Sequence, residues 1–173
     1  HESLNLAAAW ELPVLFVCEN NLFSSHMHIQ LRQPTNQVAR FAEANCVPAA
    51  TVDGNDVVKV ASTAEEMISH ARDGDGPAFL EAITYRWRGH VGHREDQDVG
   101  VDRDGTLDDW KKRDPIKRLT DALISSGQLT PSALEDLDTA IIEEVSQEWE
   151  RAVAAPFPKQ ETLLDSVYAE GAK

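Results

Sequence analysis

Leu12-Pro13-Val14-Leu15-Phe16-Val17-Cys18-Glu19-Asn20-Asn21 sets the fold class of the chain. Pro13 breaks a helical pattern, and Val14–Cys18 is a short, continuous apolar run rich in β-branched and aromatic residues. A run of that kind, ending at polar Glu19-Asn20-Asn21, reads as a strand buried on both faces, as in a parallel sheet. Upstream, His1–Trp10 has helical spacing, with Leu4, Ala7 and Ala8 on one face. No capping signal precedes it and His1 is not an initiator, so a helix entered partway along, with further sequence ahead of it, is expected.

Downstream, a polar loop reaches about Pro34, and Thr35 is placed to cap a helix over Gln37–Asn45. The apolar stretch Ala49–Val52 and the turn Asp53-Gly54-Asn55 follow. Asp56 can cap a helix to about Arg72 that carries Val57, Val60, Ala61, Ala64 and Ile68 inward. Asp73-Gly74-Asp75-Gly76-Pro77 closes that helix as a C-cap and turn; lying after a helix, it is wrongly placed to hold phosphate on a helix N-terminus. Ala78–Tyr85 then reads as another strand. Strands alternating with helices predict an α/β fold, a doubly wound parallel sheet. In such sheets ligands sit at the carboxyl ends of strands, which singles out the loops Glu19–Phe23 and Arg86–His93.

From Gly89 to Gly105 the chain is poor in apolar residues and predicts a long loop, a class that tends to be functional or disordered. Thr106 is placed to cap a short helix through Trp110, and Pro115 suits the first turn of a helix to Ser126. Thr130-Pro131 opens a last helix to about Ala154, with an apolar stripe at Leu134, Leu137, Ile141, Val145 and Trp149. Residues 1–112 are expected to form the sheet domain and 113–173 a helical appendage.

The 173 residues, 42% of them apolar, suffice for an ordinary core. A formal charge of −14 argues against a nucleic-acid surface. No run approaches the roughly 20 apolar residues of a spanning helix, and no basic-then-apolar leader is visible. Cys18 and Cys46 lack metal or redox spacing and read as thiols in a reducing cytoplasm.

Two places carry candidate chemistry. An amide oxygen of Asn20-Asn21 at a strand end can ligate a hard cation such as Mg²⁺, which would neutralise a diphosphate; the same residues are also common turn formers. His90, flanked by Arg86, Arg88 and Gly89, can donate to phosphate or act as acid or base, or be a plain surface histidine. His26, His28 and His93 lack accompanying acidic ligands for a transition metal.

The segments His1–Trp10, Leu12–Asn21, Val52–Asp56, Gly76-Pro77, Thr84-Tyr85-Arg86-Trp87-Arg88-Gly89-His90 and Lys112-Arg113-Asp114-Pro115-Ile116 occur in this order. Together they closely resemble the alpha subunit of thiamine-diphosphate-dependent 2-oxo acid dehydrogenases, the family of pyruvate, branched-chain 2-oxo acid and acetoin dehydrogenases. The resemblance implies thiamine diphosphate and Mg²⁺ as cofactors, with Asn21 giving the metal its side-chain oxygen and Phe23 its backbone carbonyl. It makes His90 a catalytic residue near the diphosphate, and Arg86 the arginine that orders its loop. A Gly-Asp-Gly triplet carrying the other metal ligand is expected upstream of His1, and without it the chain is expected to bind the cofactor poorly.

The implied reaction is oxidative decarboxylation of a pyruvate-like 2-oxo acid, with acyl transfer to a lipoyl carrier. The implied partners are a beta subunit, in an alpha2beta2 assembly, and a lipoyl-bearing acyltransferase core, in the cytoplasm and without nucleic acid or membrane. An acetoin dehydrogenase subunit and a non-catalytic structural or regulatory homologue are the alternatives. A nicotinamide-binding domain would need a Gly-x-Gly-x-x-Gly turn after a strand, and none exists here. Two stretches depart from the family pattern. Asn20-Asn21-Leu22-Phe23-Ser24-Ser25-His26-Met27-His28 stands where relatives usually carry Asn-Asn-Gly-Tyr and small hydroxyl residues, which points to a different substrate pocket. Val91–Gly105 lacks the serine-rich phosphorylation pattern of the mitochondrial pyruvate enzymes.

Overall fold

The computed structural model describes residues 1–92, 106–165 and 167. His93 and most of the predicted Gly89–Gly105 loop lie outside them. Chain contacts separate two units, His1–Leu123 and Ile124–Lys173.

The first unit is built on three parallel strands, β1 (Leu15–Asn20), β4 (Ala49–Asp53) and β5 (Ala78–Ile83), in the order β1-β5-β4. A two-residue hairpin, β2 (Phe23–Ser24) and β3 (Met27–His28), stands where the sequence predicts only loop. The parallel register pairs Asn20 with Ile83 and Asp53 with Ile83. The three strands therefore end flush, and the chain leaves all of them side by side. The α/β expectation is met.

Alternation along β5 divides the core into two layers, because successive strand side chains point to opposite faces. Phe79 faces α1 (Glu2–Ala9) and α2 (Arg40–Glu43), packing with Leu4, Ala39, Ala42 and Val47. Leu80 and Ala82 face α3 (Val57–Arg72) and pack with Val52, Leu15, Val60, Ala64 and Met67. Helices thus cover both faces. Burying Leu80 alone is worth about 1.5–3 kcal/mol before entropy is counted.

Four local expectations about β1, β5, α2 and α3 need correction. β1 is not buried on both faces: Val17 is 59% exposed, because α3 packs over β4 and β5 and, among the described residues, β1 pairs only with β5. In α3 the inward face is Val60, Thr63, Ala64, Met67 and Ala71, while Val57 and Ala61 are exposed. β5 stops at Ile83 rather than Tyr85. Finally, α2 is a single turn rather than a helix from Gln37, and Thr35 caps no helix: its hydroxyl accepts from Gln37 N in a local turn at 3.4 Å.

Thr106 is the first residue of the short helix Thr106–Lys111 rather than its cap, while the caps at Asp56, Gly74–Gly76 and Thr130 follow the sequence. Asp56 Oδ1 accepts from Lys59 N at 3.0 Å, and Gly74 and Gly76 close α3 with φ of +90° and +89°. α4 (Thr106–Lys111) and α5 (Pro115–Ser125) follow, the latter begun by Asp114 Oδ1 accepting from Ile116 N at 2.9 Å. In the second unit, α6 (Pro131–Ala154) is capped by Thr130, whose hydroxyl accepts from Ala133 N at 3.1 Å. No described α6 residue is buried, and Leu137, Ile141, Val145 and Trp149 are 48–73% exposed. No helix among the described residues is long and apolar enough to cross a membrane.

Candidate functional site

β1 ends at Asn20, which is buried, and its amide is fully engaged. Its Oδ1 accepts from Leu22 N at 3.0 Å, while its Nδ2 donates to Asn36 O at 2.8 Å and to Glu81 Oε1 at 2.6 Å. The first bond folds the chain into a tight turn that puts Leu22 at φ +67°, in the left-handed region that non-glycine residues seldom occupy. A second such turn overlaps it: Asn21 Oδ1 accepts from Phe23 N at 3.0 Å. Two consecutive asparagines thus build the turn, a use to which short amide side chains are suited.

Beyond Phe23 the β2–β3 hairpin turns back, and buried Ile29 anchors its return by donating its N–H to Leu22 O at 2.7 Å. The Phe23 ring meets His28 edge-on at 5.1 Å and Tyr85 at 5.7 Å. His28 also caps the following helical turn, its Nδ1 accepting from Gln30 N at 3.3 Å.

The loop after β5 closes over this hairpin. Thr84 N donates to Asn20 O at 3.0 Å, extending the sheet by one bond. Arg86 Nη2 donates to Ser25 O at 2.8 Å and its Nε to Arg88 O at 3.0 Å, so one guanidinium fastens the hairpin tip to its own loop. The His90 and His26 rings lie 6.4 Å apart, near perpendicular. Asn21, Phe23, Arg86 and His90 therefore belong to two loops joined at the carboxyl edge of the sheet.

The β4 exit joins the same edge. Asn55 is 3% exposed; its Oδ1 accepts from Thr84 Oγ1 and its Nδ2 donates to Arg113 O, both at 2.8 Å. Asp53 receives Arg113 and Arg118, each at 2.8 Å, and Arg118 also reaches Asp56 at 2.9 Å. Desolvation, the largest single influence on Asp53, pushes its pKa up. The hydrogen bonds from Arg118, Arg113 and Asn55 N outweigh it and hold the carboxyl below its usual range. Tyr85 bonds Thr106 Oγ1 through its hydroxyl at 3.1 Å and stacks on Trp110 at 5.6 Å, with Arg113 4.5 Å over the indole. A cavity of about 300 Å³ opens beside this stack, lined by Asn55, Thr84, Tyr85, Trp87, Asp114 and Ile116.

Sequence alone does not mark Glu81, Asn55 or Tyr85 as part of a site. The available signal for Glu81 was a carboxylate in the middle of the apolar run Ala78–Ile83, on the same face as Phe79. As for metals, among the described residues no group of three His, Cys, Asp or Glu side chains gathers. The donors at the β1 end are oxygens: the Asn21 amide and the Phe23 backbone carbonyl. The Phe23 N–H occupies one of the two lone pairs of Asn21 Oδ1. An all-oxygen set of this kind suits a hard cation such as Mg²⁺.

The family model described as "Dehydrogenase E1 component" matches residues 1–161. The chain is 33% identical over 168 residues to the alpha subunit of acetoin:2,6-dichlorophenolindophenol oxidoreductase from Bacillus subtilis, covering 97% of this chain and 49% of that one. To the pyruvate dehydrogenase E1 component subunit alpha of Porphyra purpurea it is 34% identical over 169 residues, covering 98% and 48%. To the 2-oxoisovalerate dehydrogenase subunit alpha of Bacillus subtilis it is 31% identical over 170 residues, covering 98% and 51%. The chain spans about half the length of these relatives. With its model matched over nearly the whole sequence, the chain belongs to the dehydrogenase E1 component family.

Proposed function

We propose that this chain is the diphosphate-binding part of the alpha subunit of a thiamine-diphosphate-dependent 2-oxo acid dehydrogenase, working with a beta subunit in an alpha2beta2 assembly in the cytoplasm. The observation that carries the reading is the joining of two loops, Asn20–His28 and Thr84–His90, at the flush carboxyl edge of a parallel sheet, the place where such sheets bind ligands. Family membership supports the cofactor.

Asn21 Oδ1 and the Phe23 carbonyl would hold Mg²⁺, and the cation would neutralise the diphosphate. Arg86 holds the hairpin tip to the His90 loop, which sets where His90 stands. His90 would then donate to a diphosphate oxygen, and pass a proton as the acyl group leaves for the lipoyl carrier of an acyltransferase core. Bound thiamine diphosphate supplies the electron sink that decarboxylation of a 2-oxo acid requires.

The relatives divide among acetoin, pyruvate and 2-oxoisovalerate enzymes at nearly equal identity, so the substrate is left to experiment. The test is artificial-acceptor reduction by the alpha subunit that carries these residues, co-expressed with its beta subunit. Pyruvate, branched-chain 2-oxo acids and acetoin are supplied in turn, with and without thiamine diphosphate and Mg²⁺. Cofactor-dependent turnover of one of them is expected and names the substrate. No turnover and no cofactor binding would put a non-catalytic structural or regulatory partner in its place.

A further inference from the structure

The central strand β5 carries a carboxylate, Glu81, that is 0% exposed. An ion buried this deeply is costly unless its acceptor sites are filled. Ionised, a carboxylate only accepts, through about four lone-pair sites, and here four donors meet it. Oε1 accepts from Asn20 Nδ2 at 2.6 Å and Val38 N at 2.9 Å. Oε2 accepts from Ala39 N at 2.9 Å and Thr51 Oγ1 at 3.1 Å. Every one of these donors is neutral, so the group is held by geometry rather than by a counter-charge. One side chain on β5 thus ties together the end of β1, the start of α2 and strand β4.

A bland account would make Glu81 only the cap of α2. The shortest of its bonds, however, goes to Asn20, and from there a continuous path leads into the turn. Glu81 and Asn36 O fix the Nδ2 side of the Asn20 amide, which fixes Oδ1 on the opposite side, toward Leu22 N. That bond holds Leu22 in its left-handed conformation and so sets the direction in which Asn21 and Phe23 leave the strand. A rotated Asn20 amide would turn its oxygen toward the carboxylate and its NH₂ toward Leu22 N–H, losing bonds on both sides. Glu81 forbids that rotamer.

We propose that Glu81 is a positioning residue for the cation-holding turn, acting through Asn20, so that the asparagine pair divides its labour: Asn20 aims the turn and Asn21 offers the oxygen. This rests on the function proposed above. Groups that orient metal ligands change affinity by roughly 10–100-fold when removed, and that is the size of effect expected.

The test uses the alpha subunit that carries these residues, in its complex with the beta subunit, and compares Glu81→Gln, Asn20→Ser and Thr51→Val. Thr51→Val removes a donor from the same carboxylate without touching Asn20, and reports what mere loss of burial or packing does. Hydrogen exchange over residues 19–28 is measured without cofactor, and thiamine diphosphate binding in the presence of Mg²⁺ is measured by calorimetry. Glu81→Gln and Asn20→Ser are expected to lose protection at Leu22 and Phe23 and to bind the cofactor roughly 10–100-fold more weakly, with Thr51→Val close to wild type in both. If Glu81→Gln does not fold, Asn20→Ser decides. Wild-type protection and binding in the folded variants, or equal changes in Thr51→Val, would overturn the assignment. Failure of the wild-type complex to bind the cofactor would remove the functional reading and the positioning role with it, even with the exchange pattern intact.

Discussion

Leu22 stands in the left-handed region, and two side-chain bonds hold the turn there. Such a conformation costs an ordinary residue about 1–2 kcal/mol and a β-branched one more. Leu22→Gly is therefore expected to leave stability within about 1 kcal/mol of wild type, strain relief offsetting the extra freedom of the unfolded chain. Leu22→Val is expected to lose about 1–3 kcal/mol, and thermal melts of the two variants check the difference. At Asp53 the two arginines keep the folded pKa below the unfolded one. Their contribution is therefore fully present above the unfolded value near 4 and is lost as pH falls through the folded value. Asp53→Asn is expected to cost about 1 kcal/mol at neutral pH, with its deficit against wild type shrinking below pH ~4; urea melts at pH 7 and pH 3 read this directly. The Cys18 thiol is pushed up by burial, helped by the charges of Glu81 and Glu19. Exposed Cys46 is expected to be alkylated well before it.

The elements show how far local sequence reaches. β1, β4 and β5 were legible because apolar runs bounded by Asn, Asp-Gly and Gly-Pro leave little else to be, and the caps at Asp56 and Thr130 were legible because they act within three residues. α2 was not legible. The N–H groups of Val38 and Ala39, just ahead of it, go to Glu81, more than forty residues away, so neither Thr35 nor the apolar spacing of Gln37–Asn45 could locate its start. The exposed face of β1 escaped for a similar reason, since a strand's own residues do not say which neighbours cover it. In the site, Asn21, Phe23, Arg86 and His90 came from motif resemblance, and their shared location followed from strand direction. The bonds that join their loops, Arg86 to Ser25 and Glu81 to Asn20, are long-range and had no local signature. Gly54 shows the same dependence: a Cβ there would meet Ile83 O at 2.8 Å, where Gly54 N now donates to that oxygen. Gly54→Ala is expected to cost about 1–3 kcal/mol and to loosen the β4 exit, seen as faster amide exchange at Asn55 and Asp56.

Over the molecule as a whole, the flush ends of three parallel strands gather the exits Asn20–Phe23, Thr84–His90 and Asp53–Asp56 into one edge. The pair Arg113 and Arg118 binds the last of these to α5, so that edge is braced from both sides of β5. On the function proposed above, this edge is where an anionic diphosphate would meet the protein, and with an overall charge of −14 it would do so through a cation. In that arrangement Asn21 Oδ1 holds the cation. The most direct test of this is calorimetric titration of thiamine diphosphate into the complex of the alpha subunit that carries these residues with its beta subunit, with and without Mg²⁺, for wild type and Asn21→Ala. Mg²⁺-dependent binding by wild type, weakened at least about 10-fold in Asn21→Ala with its melting temperature retained, is the predicted result. Binding that ignores Mg²⁺, or that is equal in the two proteins, would contradict it.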